Sequence, residues 1–114
     1  MSPAAQVVLT GEPIAWPPPR VGHVFHVLIS TYLQPPDVLD QTRPAHLKFL
    51  EAEIEAGRLV LAGRQEDGSG GVLITSDMTA EEAQEVLDRD PYVRAGVASY
   101  ERRSFNGAYR APAL

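Results

Sequence analysis

A histidine and an aspartate near predicted helix ends are the residues best suited to chemistry in this 114-residue chain. His46 follows a helix-start signal in which Thr42 is the expected N-cap and Pro44 stands in the first turn. The positive end of the helix dipole disfavours an imidazolium there, so we expect a neutral ring suited to a general base. Asp90 precedes Pro91 at the end of a second predicted helix and can accept a hydrogen bond from one imidazole nitrogen. The pair would leave the other nitrogen free to move a proton.

Each candidate residue also has a purely structural interpretation. His46 can be a packing histidine, and Asp90 can simply end a helix ahead of a proline. Arg64, in a predicted hairpin, is either a cation suited to a carboxylate or phenolate or a solvated surface arginine. Arg43 either contacts a substrate or is held by a nearby carboxylate such as Asp40 or Asp90, because a first-turn arginine opposes the helix dipole.

The elements that must position these residues follow from hydrophobic periodicity and from the Pro and Gly residues between them. The pattern predicts strands at 23–33, 59–64, 72–76 and 97–105, a helix at 43–56, and a second helix from the capping box at 79–82 to Pro91. Right-handed crossovers favour a ferredoxin-like βαββαβ fold of the α+β class, with a four-stranded antiparallel sheet and both helices on one face. That topology gathers His46, Arg64 and Asp90 at one end of the domain, where Tyr32 and Tyr92 are further candidates for substrate contact.

Two local features of this fold are also predicted. Leu47, Leu50 and Ile54 recur at helical spacing and are expected to form the buried stripe of the first helix, which Gly57 ends. The glycine-rich segment at 67–71 is expected to be a plain hairpin turn, because it joins two strands and lacks the following helix that would hold a phosphate.

Composition argues against several classes of function. A formal net charge of -5 argues against nucleic-acid binding, which needs many basic side chains. There is no cysteine, and His23 and His26 are expected to point to opposite faces of a strand as core or edge residues, so we predict no bound metal. Neither a Rossmann glycine pattern nor a P-loop is present, so no cofactor is implied. The sequence shows neither a signal-peptide pattern nor a membrane-spanning segment, so we expect a soluble, cytoplasmic protein without membrane partners.

The chain is expected to divide into a Pro-rich arm at 1–22, an α+β domain at 23–106 and a tail at 107–114. Trp16 lies in the arm and is expected to pack on its own protomer or a partner. Because the predicted strands are apolar on both faces and two helices cover only one, we predict a homodimer with the uncovered sheet faces together. Such an interface would bury on the order of 1,500 Å² or more, and the arm is expected to reach across it.

Two separated motifs resemble the YCII-related (YciI-like) family. The first is RPAHL at 43–47, followed by EAGRL at 55–59, and the second is DPYV at 90–93, followed by AGV at 95–97. The resemblance covers about residues 23–106 and implies a dimeric α+β barrel whose histidine and aspartate, here His46 and Asp90, line a pocket and are proposed to be catalytic. It also implies likeness to a dehydrochlorinase of a chlorinated hydroxyhydroquinone and, in fold, to muconolactone isomerase. The chain departs from the family in having Gly63-Arg64 where Gly-Pro is common, and in its Pro-rich arm.

Two functional hypotheses follow. The first is a cofactor-independent enzyme that shuttles a proton on a small oxygenated cyclic or aromatic molecule, as an isomerase, a dehydrochlorinase or another lyase. His46 would be the acid/base and Asp90 would orient it, while Arg43, Arg64, Tyr32 and Tyr92 would contact substrate. The alternative is a non-catalytic small-molecule-binding or accessory dimer with the same pocket.

Overall fold

The computed structural model describes residues 23–114, which form one four-stranded antiparallel sheet with helices on one of its faces. The strand order is β2-β3-β1-β4, which is the ferredoxin-like arrangement predicted from the sequence. In chain order the elements are β1 (Val24–Tyr32), α1 (Pro36–Glu55), β2 (Leu59–Arg64), β3 (Gly71–Thr75), α2 (Ala80–Arg89), α3 (Pro91–Arg94) and β4 (Ala98–Asn106).

The first helix begins earlier than the sequence motif indicated. Its N-cap is Pro35 and its first residue is Pro36, so Thr42 is not a cap and Pro44 lies inside the helix. A proline at the first helical position loses no backbone hydrogen bond, whereas Pro44 removes one. His46 therefore lies near the middle of the 20-residue helix, and the expectation of a neutral ring from the helix dipole does not apply, because that effect falls off within the first turn.

The buried face of α1 also differs from the prediction. Its buried residues are Leu39, Phe49 and Glu53, whereas Leu47 is 48% exposed and Ile54 43% exposed. Leu50 packs against the core at its edge. The predicted buried stripe was wrong because hydrophobic periodicity does not place a charged residue such as Glu53 on the core side of a helix.

The core lies between the sheet and the two long helices. It joins Leu28 of β1, Leu59 of β2, Leu73 of β3, Phe49 of α1 and Val86 of α2. Side chains alternate across a strand, so the neighbours of these residues lie on the helix-free face of the sheet.

Several local predictions are confirmed. Thr79 and Glu82 form the predicted capping box at the start of α2. Gly57 has a positive φ of 77° just after α1, as a helix-ending glycine requires. The segment at 67–71 is a hairpin turn, stabilised by Asp67, whose Oδ1 accepts hydrogen bonds from the backbone N–H and the hydroxyl of Ser69.

The chain after β4 folds back onto the start of β1. The backbone N–H of Gly107 donates to the carbonyl of His23, and the Arg110 guanidinium donates to Nδ1 of His23 and lies over the ring of Phe25. Within residues 23–114, no helix is both long and apolar enough to cross a membrane. The predicted arm and the packing of Trp16 lie outside the described residues.

Candidate active site

Asp90 occupies the junction between two helices, where the chain turns from α2 into α3. Its side chain is completely buried. One carboxyl oxygen, Oδ1, accepts a hydrogen bond from the backbone N–H of Tyr92 at 2.9 Å, so Asp90 is the N-cap of α3. The following Pro91 suits the first position of α3, which is why the chain can reverse direction at this point.

The same carboxyl group is hydrogen-bonded to His46. Nδ1 of the imidazole lies 2.7 Å from Oδ1 of Asp90, so the contact expected between the two residues is present. Oδ2 accepts a third hydrogen bond, at 2.8 Å, from the hydroxyl of Tyr100. Because Oδ1 already acts as an acceptor toward the Tyr92 N–H, we assign the shared proton to Nδ1 of His46. This tautomer leaves Nε2 as a proton acceptor.

Aromatic rings hold the imidazole of His46 in place in addition to its hydrogen bond with Asp90. The ring of Tyr92 stacks on the ring of His46 with a centroid distance of 3.9 Å and an interplanar angle of 7°. Phe49 contacts the imidazole at a centroid distance of 6.0 Å. The His46 side chain is 12% exposed, and within residues 23–114 its Nε2 has no hydrogen-bond partner. Nε2 is therefore available to a ligand.

A cavity of about 280 Å³ lies against this imidazole. All four residues that the sequence suggested for substrate contact line it: Arg43 on α1, Arg64 at the end of β2, Tyr32 at the end of β1 and Tyr92 on α3. The topology prediction that His46 and the hairpin share one end of the sheet is thus confirmed. A volume of this size suits a molecule of about one ring with its substituents.

The two arginines differ in how they are held. The guanidinium of Arg43 uses Nε to bind Oδ1 of Asp40 at 2.9 Å, and this hydrogen bond raises the pKa of Arg43. Of the two carboxylates that were considered for Arg43, Asp40 is the partner. Arg64 has no ion-pair partner in the described part of the chain. Both arginines line the cavity that His46 lines.

Tyr100 and Ser30 contribute to the site but were not found from the sequence. Tyr100 lies on β4 and reaches Asp90 across the helix-facing side of the sheet. Burial and then the negative charge of Asp90 raise the pKa of Tyr100 well above its usual range, so its hydroxyl remains a donor. Ser30 is directly opposite Tyr100 in the pairing of β1 with β4, and both line the cavity. Only the strand register could have indicated this pairing.

The hairpin that carries Arg64 is fixed by contacts with the end of β1. The backbone N–H of Gly71 donates to the Ser30 hydroxyl at 2.7 Å, and the side-chain amide of Gln65 donates to the Ser30 carbonyl at 2.9 Å. Gly70 approaches so closely that an added Cβ would lie 1.7 Å from the same carbonyl oxygen. A glycine is therefore required here, and it lets the hairpin close one end of the cavity.

The other histidines are structural. His26 is completely buried, and its ring nitrogens contact the hydroxyl of Ser104 and the carbonyl of Met78, each at 2.8 Å. His23 pairs with Arg110. Among residues 23–114, no group of three or more His, Cys, Asp or Glu side chains is arranged to hold a metal ion.

The family model of the YCII-related domain matches residues 24–106. The chain belongs to the YCII-related family. Among solved structures, the chain is similar in fold to 5-chloro-2-hydroxyhydroquinone dehydrochlorinase (TftG) from Burkholderia phenoliruptrix AC1100, in complex with 2,5-dihydroxybenzoquinone. That match has a TM-score of 0.58 and 20% sequence identity, and it covers 69% of this chain and 90% of the other. At this identity the likeness of this YCII-related chain to the dehydrochlorinase is one of fold. No curated protein matches the sequence.

Proposed function

We propose that this YCII-related protein is a cofactor-independent acid/base enzyme acting on a small oxygenated cyclic or aromatic molecule. The observation that carries the proposal is the hydrogen bond between His46 and the buried Asp90, which leaves Nε2 of the imidazole available beside the cavity. A buried carboxylate that holds one imidazole nitrogen is a common way to orient a histidine for proton transfer.

In the proposed mechanism, Nε2 of His46 removes a proton from the substrate. The imidazolium that forms is stabilised by the negative charge of Asp90, 2.7 Å from Nδ1. In an isomerisation the same nitrogen returns the proton to a different substrate atom. In an elimination, the electron pair of the broken bond forms a double bond as the leaving group departs with its own pair. Positioned proton transfer of this kind contributes about 10²- to 10⁴-fold to the rate.

The similar solved structure supports elimination on a hydroxylated ring as one form of the proposed reaction. The structure with a similar fold is described as a dehydrochlorinase of a chlorinated hydroxyhydroquinone and was solved with a dihydroxybenzoquinone. The cavity here, about 280 Å³, suits a ring of that size. Tyr32, Tyr92, Arg43 and Arg64 are the proposed contacts to the substrate, because all four line the cavity together with His46.

The proposal is tested by a combined binding and turnover screen of wild type and His46→Ala. The compounds are muconolactones, hydroxyquinones and halogenated catechols, with thermal shift as the readout of binding and product formation as the readout of catalysis. We expect turnover of at least one compound by wild type and its loss in the folded variant. Thermal stabilisation without turnover, retained in His46→Ala, would contradict catalysis and support the alternative of a binding or accessory protein.

We further propose that the protein is a homodimer that joins its helix-free sheet faces. Val27 on β1 and Ile74 on β3 are paired neighbours on that face and are only partly covered. Leu61 on β2 and Phe105 on β4 extend the apolar surface and are 61% and 49% exposed. A contiguous apolar surface of this kind usually marks an interface.

The mass in solution tests this assembly. Light scattering at micromolar concentration should give twice the chain mass of 12.4 kDa. Ile74→Glu, which places a charge on the sheet face, should shift the mass toward the monomer, whereas Ile54→Glu on the exposed side of α1 should not. A monomer mass for the wild type would contradict the proposal.

A further inference from the structure

The charged side chains that line the cavity have one sign, opposite to that of the whole protein. The chain carries a formal charge of -5, yet among residues 23–114 the lining of the cavity includes Arg43 and Arg64 and contains no Asp or Glu. Asp90 lies behind the imidazole, and Asp40 holds Nε of Arg43. The charged side chains that the described residues contribute to the cavity lining are therefore positive, in a protein whose net charge is negative.

Both guanidinium groups retain donors for a ligand. Asp40 occupies only Nε of Arg43, so the terminal nitrogens of Arg43 are not bound to a carboxylate within the described residues. Arg64 forms no ion pair there at all. A guanidinium group donates in a planar fork that matches the geometry of a carboxylate or of two neighbouring ring oxygens.

The hydroxyl of Tyr92 is a third donor without a partner. Tyr92 is 1% exposed, and in residues 23–114 its hydroxyl is the only buried side-chain polar atom without a hydrogen bond. Burial raises the pKa of Tyr92 and the positive charges of Arg43 and Arg64 oppose that rise, so the hydroxyl is protonated and within the field of both arginines. A buried hydroxyl without a partner is unfavourable, and a ligand acceptor would remove that cost.

We propose that this cavity selects anionic molecules, and that the group it recognises is a carboxylate or an enolate or phenolate oxygen. The Tyr92 hydroxyl donates a hydrogen bond to the anion, and Arg43 and Arg64 supply its counter-charge. The inference rests on the proposed function, because it assumes that the substrate binds in the cavity beside His46. It adds that a neutral lactone or quinone binds only weakly and that the anion is the form that is recognised.

The anion site also explains how a small substrate is oriented. The ring of Tyr92 stacks on the imidazole at 3.9 Å, so a group held by its hydroxyl lies next to the ring that moves the proton. The remainder of the molecule then lies in the cavity beside Nε2. Fixing one end of a small ring in this way restricts the positions that the reacting bond can take beside Nε2.

The test compares an anion with a neutral molecule of the same shape. Benzoate and benzamide are titrated separately into the full-length protein at constant pH and ionic strength, and binding is followed by ¹H–¹⁵N NMR. We expect benzoate to bind at least tenfold more tightly than benzamide. Arg64→Gln should lower the benzoate affinity about tenfold and Tyr92→Phe about fivefold, with little effect on benzamide.

Two further variants separate this inference from the proposed catalysis. Arg94→Gln removes one positive charge from α3 outside the cavity and should leave benzoate binding unchanged. His46→Ala should lose turnover but still prefer benzoate to benzamide. Equal affinity for the two probes, or a benzoate preference unchanged by both Arg64→Gln and Tyr92→Phe, would overturn the anion site even if the enzyme were active. A benzoate preference that depends on Arg64, in a protein that turns over no substrate, would support the anion site and contradict the catalytic proposal.

Discussion

Replacement of the buried Glu53 by glutamine should destabilise the protein in a pH-dependent way. Glu53 lies on the core side of α1, with its side chain 4% exposed. Its carboxylate accepts two hydrogen bonds from Arg58, which precedes β2, and two from Arg89, in the last turn of α2, at distances of 2.7 to 3.1 Å. One carboxylate thus ties together both long helices and the start of β2.

The magnitude follows from the pKa of this carboxyl group. Burial alone would raise the pKa of Glu53, but the hydrogen bonds from Arg58 and Arg89 outweigh it and lower the pKa from 4.5 to about 2. At 1.36 kcal/mol per pKa unit, this shift sets a ceiling of about 3 kcal/mol. The two arginine side chains are 46% and 43% exposed, so solvent screens the pairs, and we expect about 1–2 kcal/mol.

The sign of the pH dependence is fixed because the folded pKa lies below the unfolded one. The stabilisation is fully present above about pH 4.5 and is lost as the pH falls toward 2. Urea unfolding at one protein concentration should therefore show Glu53→Gln less stable than wild type at pH 7, with a smaller difference at pH 3. Glu55→Gln, an exposed charge on the same helix, should change the free energy of unfolding little. A Glu53→Gln difference that is the same at pH 7 and pH 3 would refute the reasoning.

Two further substitutions test the parts that support the site. Tyr100→Phe removes the hydrogen-bond donor to Oδ2 of Asp90. With the fold retained, it should lower kcat/KM about tenfold on any substrate found in the turnover screen. An unchanged kcat/KM would contradict a positioning role for Tyr100. Gly70→Ala places a Cβ against the Ser30 carbonyl and should lower the free energy of unfolding in urea by about 2 kcal/mol or more. Gly63→Ala, at a position with open space around it, should lower it much less. Equal decreases for the two variants would contradict the close approach of Gly70 to Ser30.

The parts of the fold that depend on local signals could be predicted from the sequence. The four strands begin and end within one residue of their predicted bounds. The capping box at Thr79 starts α2 as predicted, because a cap acts within one turn. The contact of His46 with Asp90 was predicted on the assumption that His46 lies in the first turn of α1, and it forms although His46 lies near the middle of the longer helix. From the topology, Arg64 was expected at the correct end of the sheet.

The errors concern one helix boundary and contacts between distant residues. The predicted start of the first helix at Thr42 was wrong, because the helix begins at Pro36 and contains Pro44 in its interior. The burial of Glu53 depends on arginines from two other elements, so periodicity within α1 could not indicate it. The hydrogen bond from Tyr100 to Asp90 depends on strand register, which the sequence pattern does not specify to one residue.

The most direct test of the central proposal is proton exchange on a bound small molecule. The compound from the turnover panel that most stabilises the wild type is incubated in D₂O with wild type or His46→Gln, and ¹H NMR follows the loss of its exchangeable carbon-bound protons. If Nε2 of His46 removes the proton, exchange by wild type should exceed that by the folded variant at least about 100-fold. Equal exchange by the two proteins, or none with wild type, would contradict the assignment of His46 as the acid/base.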